Sequence, residues 1–151
     1  MRTLSMGLFV ALAMSSPAPA CSLAVGTPGT LALDVGGTAL ASNIGVGLPA
    51  TATVIVPILQ GVTVEVAGPT RVQSPGGYNP SAESVQVAYT ANALLGQVAS
   101  QGFTASTTSF PAAAGVLSAL TISLSLHNRI LNANGFASGS YMTRTVITCR
   151  P

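Results

Sequence analysis

Apolar and polar residues alternate with a period of two along most of this chain. Val62, Val64 and Val66 alternate with Thr63 and Glu65, and Val85, Val87 and Tyr89 alternate with Gln86, Ala88 and Thr90. The clearest run sets Leu120, Ile122, Leu124 and Leu126 against Thr121, Ser123, Ser125 and His127. Successive side chains of a strand point to opposite faces, so the pattern predicts strands with one apolar and one hydroxyl-bearing face. Shorter runs extend it. Leu31, Leu33 and Val35 alternate around Ala32 and Asp34 before a Gly36-Gly37 turn, and Thr51, Thr53 and Ile55 face opposite Val54 and Val56 until Pro57 interrupts.

The remaining segments complete the outline. Phe103 to Phe110, rich in Thr and Ser, reads as an exposed edge, and Tyr141 to Cys149 as the last strand. Asn132-Ala133-Asn134-Gly135 carries an Asn-Gly turn signal, which predicts a long hairpin between strands near 117–130 and 139–149. Ala91 to Gln101 spaces Leu94, Leu95, Val98 and Ala99 as a helix would, with Gly96 against it; a short helix and a further strand both fit. Val72 to Ala82 is a loop, marked by Pro75-Gly76-Gly77 and Asn79-Pro80. No internal repeat is visible. About eight short strands with turns between them predict an all-β, Ig-like antiparallel β-sandwich.

The N-terminus reads as an export leader. Arg2 supplies a positive start, Met6 to Met14 an apolar stretch, and Ala18-Pro19-Ala20 a small-residue cleavage site. Residues 1–20 are thus expected to be a signal peptide and 21–151 a single domain at the extracellular face of the cell. After the leader the longest apolar candidate for a membrane span, Ala112 to Leu126, is broken by Ser118, Thr121, Ser123 and Ser125, so no transmembrane span is expected in the mature chain.

Charge is scarce: five Arg, three acids and no Lys in 151 residues. Arg71, Arg129, Arg144 and Arg150 are scattered, which excludes a nucleic-acid partner, since such affinity needs clustered cations against phosphates. Nearly half the residues are apolar (48%), which excludes a disordered chain. A near-neutral surface of Ser, Thr, Asn, Gln and Ala does little to prevent self-association and suits a protein buried against copies of itself.

Two cysteines, Cys21 and Cys149, lie at the ends of the mature chain. In an exported protein the simplest reading is one intrachain disulfide. A bond from Cys21 of one subunit to Cys149 of the next is an alternative, as is acylation of Cys21, against which the preceding Ala-Pro-Ala argues.

Chemistry-bearing residues form no convincing active site. His127, the sole histidine, lies on the hydroxyl face of the strongest strand; a hydrolase would have to gather it with a nucleophile and an acid such as Asp34. Glu65 and Glu83 fall on different strands and read as solvated acids rather than a catalytic pair. Zinc or calcium spacing is absent, and the glycine-rich stretches lack the Lys of a phosphate loop. No enzyme activity, metal or cofactor is therefore expected. Asn79-Pro80-Ser81 is no glycosylation acceptor, because Pro follows the Asn. Tyr78, in the Pro-Gly-Gly loop, is the one residue suited to a sugar-stacking surface.

The closing segment Gly139-Ser140-Tyr141-Met142-Thr143-Arg144-Thr145-Val146-Ile147-Thr148-Cys149 resembles the last strand of bacterial pilin-type domains. Among these are the spore-coat-U-like subunits of archaic chaperone–usher pili and the small subunits of thin surface filaments. The leader, the early Cys and the low-charge Ala/Gly/Thr body are similar too. The resemblance implies a pilin-like sandwich completed by a strand from a neighbouring subunit, a homopolymeric fimbrium serving adhesion or biofilm, and an export chaperone or outer-membrane assembly partner. Donor-strand exchange needs an extended apolar segment near the N-terminus; Leu23, Val25, Leu31, Leu33 and Val35 are the candidates within 22–35, with Gly26-Thr27-Pro28-Gly29 as a hinge. Chaperone–usher pilins carry the donor ahead of their first Cys, whereas here Cys21 opens the mature chain. Either exchange uses a segment after Cys21, or the disulfide is intermolecular, or no strand is exchanged. The expected function is a filament subunit with a monomeric secreted adhesin or carbohydrate-binding module as the alternative.

Overall fold

The computed structural model describes residues 21–151; the leader assigned to residues 1–20 lies outside them. Twelve strands account for the order of the described chain: β1 (Ser22–Val25), β2 (Ala32–Leu33), β3 (Ala39–Ala41), β4 (Ala50–Val56), β5 (Gly61–Val66), β6 (Thr70–Gln73), β7 (Glu83–Ala93), β8 (Gly96–Thr104), β9 (Thr108–Ala113), β10 (Leu120–Asn132), β11 (Met142–Arg144) and β12 (Ile147–Arg150). A single 3-10 turn, Pro80–Ala82, precedes β7. The protein is all-β and every pairing is antiparallel.

The longest strand organises the larger sheet. One edge of β10 pairs with β7 from Ser123↔Asn92 to Asn132↔Glu83. Its other edge pairs first with β4, Leu120↔Val56 to Leu126↔Ala50, and then with β3, Arg129↔Ala41 to Leu131↔Ala39. β8 extends β7, β1 extends β4 and β2 extends β3, giving one curled seven-stranded sheet. A three-stranded sheet in the order β12-β5-β9 lies across it, and β6 pairs with β11.

Between the two sheets sits one core, and the period of two explains its membership. Val62, Val64 and Val66 of β5, with Phe110 and Ala112 of β9, meet Val54, Val56, Val87, Tyr89, Ala91, Ile122, Leu124 and Leu126 of the larger sheet. The strands at Val62–Val66, Val85–Tyr89 and Leu120–Leu126 thus stand where the alternation places them. In the first short run the buried residue is Ala32, while Leu33 and Val35 are exposed.

Two expectations are corrected and one open alternative is decided. Strands near 117–130 and 139–149 do not form a hairpin, because both edges of β10 are taken by β7 and by β4 and β3. The Asn132 side chain turns inward instead, donating to Asn79 O at 2.8 Å and accepting from Asn134 N–H at 3.0 Å, and the closing segment divides into β11 against β6 and β12 against β5. Of the short helix and the further strand that both fit residues 91–101, the chain takes the strand, as a β-hairpin: Leu94-Leu95 form its turn, and Gly96 has a φ of 128°, outside any helix. Phe103 to Phe110 is no single exposed edge but the end of β8, a turn and the start of β9, with Phe110 in the core.

Cys21 and Cys149 form an intrachain disulfide with Cα atoms 6.1 Å apart, joining the residue before β1 to β12 across 128 positions. Such a cross-link removes loop-closure entropy from the unfolded chain, by about 4–5 kcal/mol in the chain-entropy estimate for loops of ~100 residues. We expect Cys21→Ala/Cys149→Ala to lower the urea midpoint by an amount equivalent to about 4 kcal/mol. On non-reducing electrophoresis the parent chain should run as a monomer that slows on reduction; a reductant-sensitive ladder would refute the intrachain pairing.

Candidate functional site

A concave apolar feature follows from the strand order. β1 pairs only with β4, and β12 only with β5, so the outer edges of the first and last strands have no strand partner. Between them runs a groove of about 640 Å³. Its floor is Ala50 and Ala52 of β4 with Leu126 of β10; one wall is Leu23, Val25 and Leu31, the other Tyr141, Met142 and Ile147. The inward positions of β4 read Ala50, Ala52, Val54, Val56, small under the groove and larger in the core, so the floor is set by side-chain size.

Hydrogen bonds hold both walls. Asn128 of β10 donates through Nδ2 to Thr143 Oγ1 at 2.9 Å and accepts from Thr145 Oγ1 at 3.0 Å, which tethers the closing segment above the floor. On the other side Thr51 Oγ1 accepts from Thr27 N–H at 2.8 Å, and Gly26 N–H donates to Thr51 O at 2.9 Å. A Cβ on Gly26 would collide with Thr51 Oγ1, so the hinge needs glycine there.

The donor candidates lie in and beside this groove. Leu23, Val25 and Leu31 form part of its wall, with Ser22–Val25 already laddered to β4 of the same chain. Leu33 lies in β2 against β3, and Val35 projects into solvent in the turn that follows.

The polar residues weighed as chemistry are each engaged elsewhere. His127 Nδ1 lies 3.1 Å from Oγ of Ser42, a buried residue at the groove. The acid that would complete a triad is missing from that pair. Asp34 accepts from the N–H groups of Ala39 and Thr38, both at 2.9 Å, and the Ala39 bond is the chief reason its carboxyl sits below the usual range. Glu65 pairs with Arg150 at 3.2 Å, and Glu83 with Arg71 at 2.7 Å. Among the described residues no group of three or more His, Cys, Asp or Glu is placed to hold a metal ion.

An aromatic cluster was not readable along the chain, where the rings look dispersed. Tyr78 stacks on Phe136 with centroids 5.9 Å apart, and Tyr141 meets both edge-on at 5.1 and 5.3 Å. The Arg71 guanidinium lies 5.0 Å over Tyr78. The Tyr78 hydroxyl donates to Glu83 at 2.6 Å. Both loops bear glycines beside their rings, Gly76-Gly77 and Gly135 to Gly139, and a Cβ on Gly139 would strike Pro75. That shared glycine-aromatic pattern was the available signal. Tyr78 therefore spends its faces on Phe136, Tyr141 and Arg71, pinning the loop before β7 to the loop after β10.

No protein-family model matches the chain, nor does any curated protein or solved structure. No helix among the described residues is long and apolar enough to cross a membrane. Fold and site together define an all-β, disulfide-closed domain with an open apolar groove between its first and last strands.

Burial, and then the hydrogen bond to Glu83, pushes the Tyr78 phenol up to about 12 from its ordinary 10.0. A raised value means the fold favours the protonated phenol, so this contribution is complete below pH 10 and lost as pH climbs through about 12. Tyr78→Phe should cost about 1–2 kcal/mol at neutral pH. It should also flatten the decline in stability between pH 10 and about 12, read by urea denaturation across that window. An unchanged alkaline decline in the variant would assign it to another group.

Proposed function

We propose that the protein is a non-enzymatic structural subunit of an extracellular bacterial filament, polymerising by β-strand donation between copies. The observation that carries this reading is the apolar groove flanked by two unpaired strand edges. Unpaired edges offer a generic ladder of backbone donors and acceptors, and alternate apolar pockets set the register of an incoming strand. The scarcity of surface charge supports close packing of copies, and the disulfide supports folding in an oxidising compartment on the export route. In finer terms the domain is an Ig-like, pilin-like sandwich, and the closing segment that resembles pilins forms one wall of the groove.

Residues 22–35 remain the donor in this proposal, in the manner of a swapped segment. Their release breaks the four β1–β4 pairs and the two β2–β3 pairs, while Cys21 stays bound to Cys149 as the pivot. Little apolar surface is lost on release, since every residue of β1 is exposed in the single chain. A released segment takes the vacated place on a neighbour's β4 and remakes the same backbone ladder there, and an element exchanged between identical protomers is a low-cost route to assembly.

Ala24 and Thr53 are direct partners across β1 and β4. Oxidised Ala24→Cys/Thr53→Cys should lock the segment at home and abolish fibres in negative-stain images, and reduction should restore them. Fibres formed equally by the locked chain would remove residues 22–35 as the donor. A parent protein that stays monomeric at every concentration would remove the filament reading itself.

A further inference from the structure

We propose that the end of the domain bearing the disulfide is a lipid-binding pole, whose aliphatic turn tips enter the surface of a phospholipid bilayer. The pairings place three turns at this end. The β4–β5 turn follows Val56, which is opposite Leu120; the β7–β8 turn follows Ala93, one residue past the Asn92↔Ser123 pair; and the β9–β10 connection follows Ala113, opposite Gly61. Their tips carry Ile58 and Leu59, Leu94 and Leu95, and Val116 and Leu117, exposed at 51%, 70%, 100%, 99%, 71% and 94%. No charged residue occurs in 57–60, 94–95 or 114–119.

Turns are ordinarily built from Gly, Asn, Asp, Ser and Pro. The opposite pole follows that rule, with Gly36-Gly37, Gly76-Gly77, Ser106-Thr107 and Asn132 to Gly135, and Val35 as an isolated aliphatic. The contrast within one molecule argues that the aliphatic tips are not a general consequence of composition. Leu59 sharpens it. Its φ of 61° makes it the one non-glycine residue in the left-handed region among those described, where Gly37, Gly45, Gly77, Gly96, Gly135 and Gly139 also stand. A leucine there is strained and exposed at once, and glycine or asparagine would relieve both. Exposed apolar surface held against backbone strain points to a partner that takes up the side chain.

A bilayer suits these tips better than a rigid protein surface. They are convex pairs of aliphatics from three separate turns, and a fluid hydrocarbon margin needs no matching shape or charge.

The chain has no Trp, so a single introduced one is an unambiguous reporter. Leu95→Trp should shift its emission to the blue on addition of phosphatidylcholine vesicles, and Thr107→Trp at the opposite pole should not. In flotation with the same vesicles the parent chain should rise with the lipid, equally at about 0.1 M and about 0.5 M salt, since no charge pairing is involved. Leu59→Asn/Leu94→Ser/Leu95→Ser/Leu117→Ser should reduce the bound fraction at least tenfold, and Leu59→Gly alone should raise the thermal midpoint while weakening flotation. Both chains are used as residues 21–151, and a quadruple variant that still floats would overturn the proposal, assigning binding to another face. A parent chain that fails to float would also overturn it, and an oligomer lost in that variant would then make the pole a protein contact. The Ala24→Cys/Thr53→Cys lock leaves the pole untouched, so loss of fibres and loss of vesicle binding are separable results.

Discussion

The strand Leu120–Asn132 has no free edge, and most of the structure depends on that. β7 covers one side along ten residue pairs, and β4 and β3 divide the other. A sequence-adjacent segment would ordinarily fold back on such a strand as a hairpin. Here it finds no backbone donors or acceptors to meet and crosses to the second sheet, where β5 and β6 still have edges to offer. The chain's first and last strands then face each other across a gap instead of pairing, and the groove is that gap. Asn128, on the strand itself, holds the displaced segment, and Asn132 binds both the loop that leads to it and the loop before β7.

The core so enclosed is thin. Its members are mostly Val and Ala, with Ile122, Leu124, Leu126, Tyr89 and Phe110 as the larger contributors. A small apolar core leaves a narrow margin over conformational entropy. The disulfide offsets part of that entropy by tying the two segments that the ladder leaves unpaired. The few charges act locally. Glu83 is satisfied twice, by Arg71 and by Tyr78, and joins two loops; Asp34 caps its own turn; and the exposed Glu65–Arg150 pair contributes little, as surface pairs do.

The two ends of the domain are chemically unlike. One is built from glycine, asparagine and stacked rings, the other from aliphatic turns around the disulfide.

Much of this was determined by the sequence by itself. The all-β class, the inward faces of β4, β5, β7 and β10, and the loop before β7 (apart from Val72 and Gln73, which close β6) were readable, because a period of two is a local property and burial selects one phase of it. Partner choice was not. The Asn-Gly turn after β10 looks like a hairpin turn at short range, and only the prior occupation of both edges of β10 sends the chain elsewhere. Leu94 and Leu95 have helical spacing, yet they became a turn because β7 and β8 pair along their length on either side. Tyr78 is far from Phe136 and Tyr141 along the chain, and the three touch in space because two loops converge where β10 ends. Periodicity states which side of a strand is buried; which strand lies beside it is decided by competition for edges, and that exists only in the folded whole.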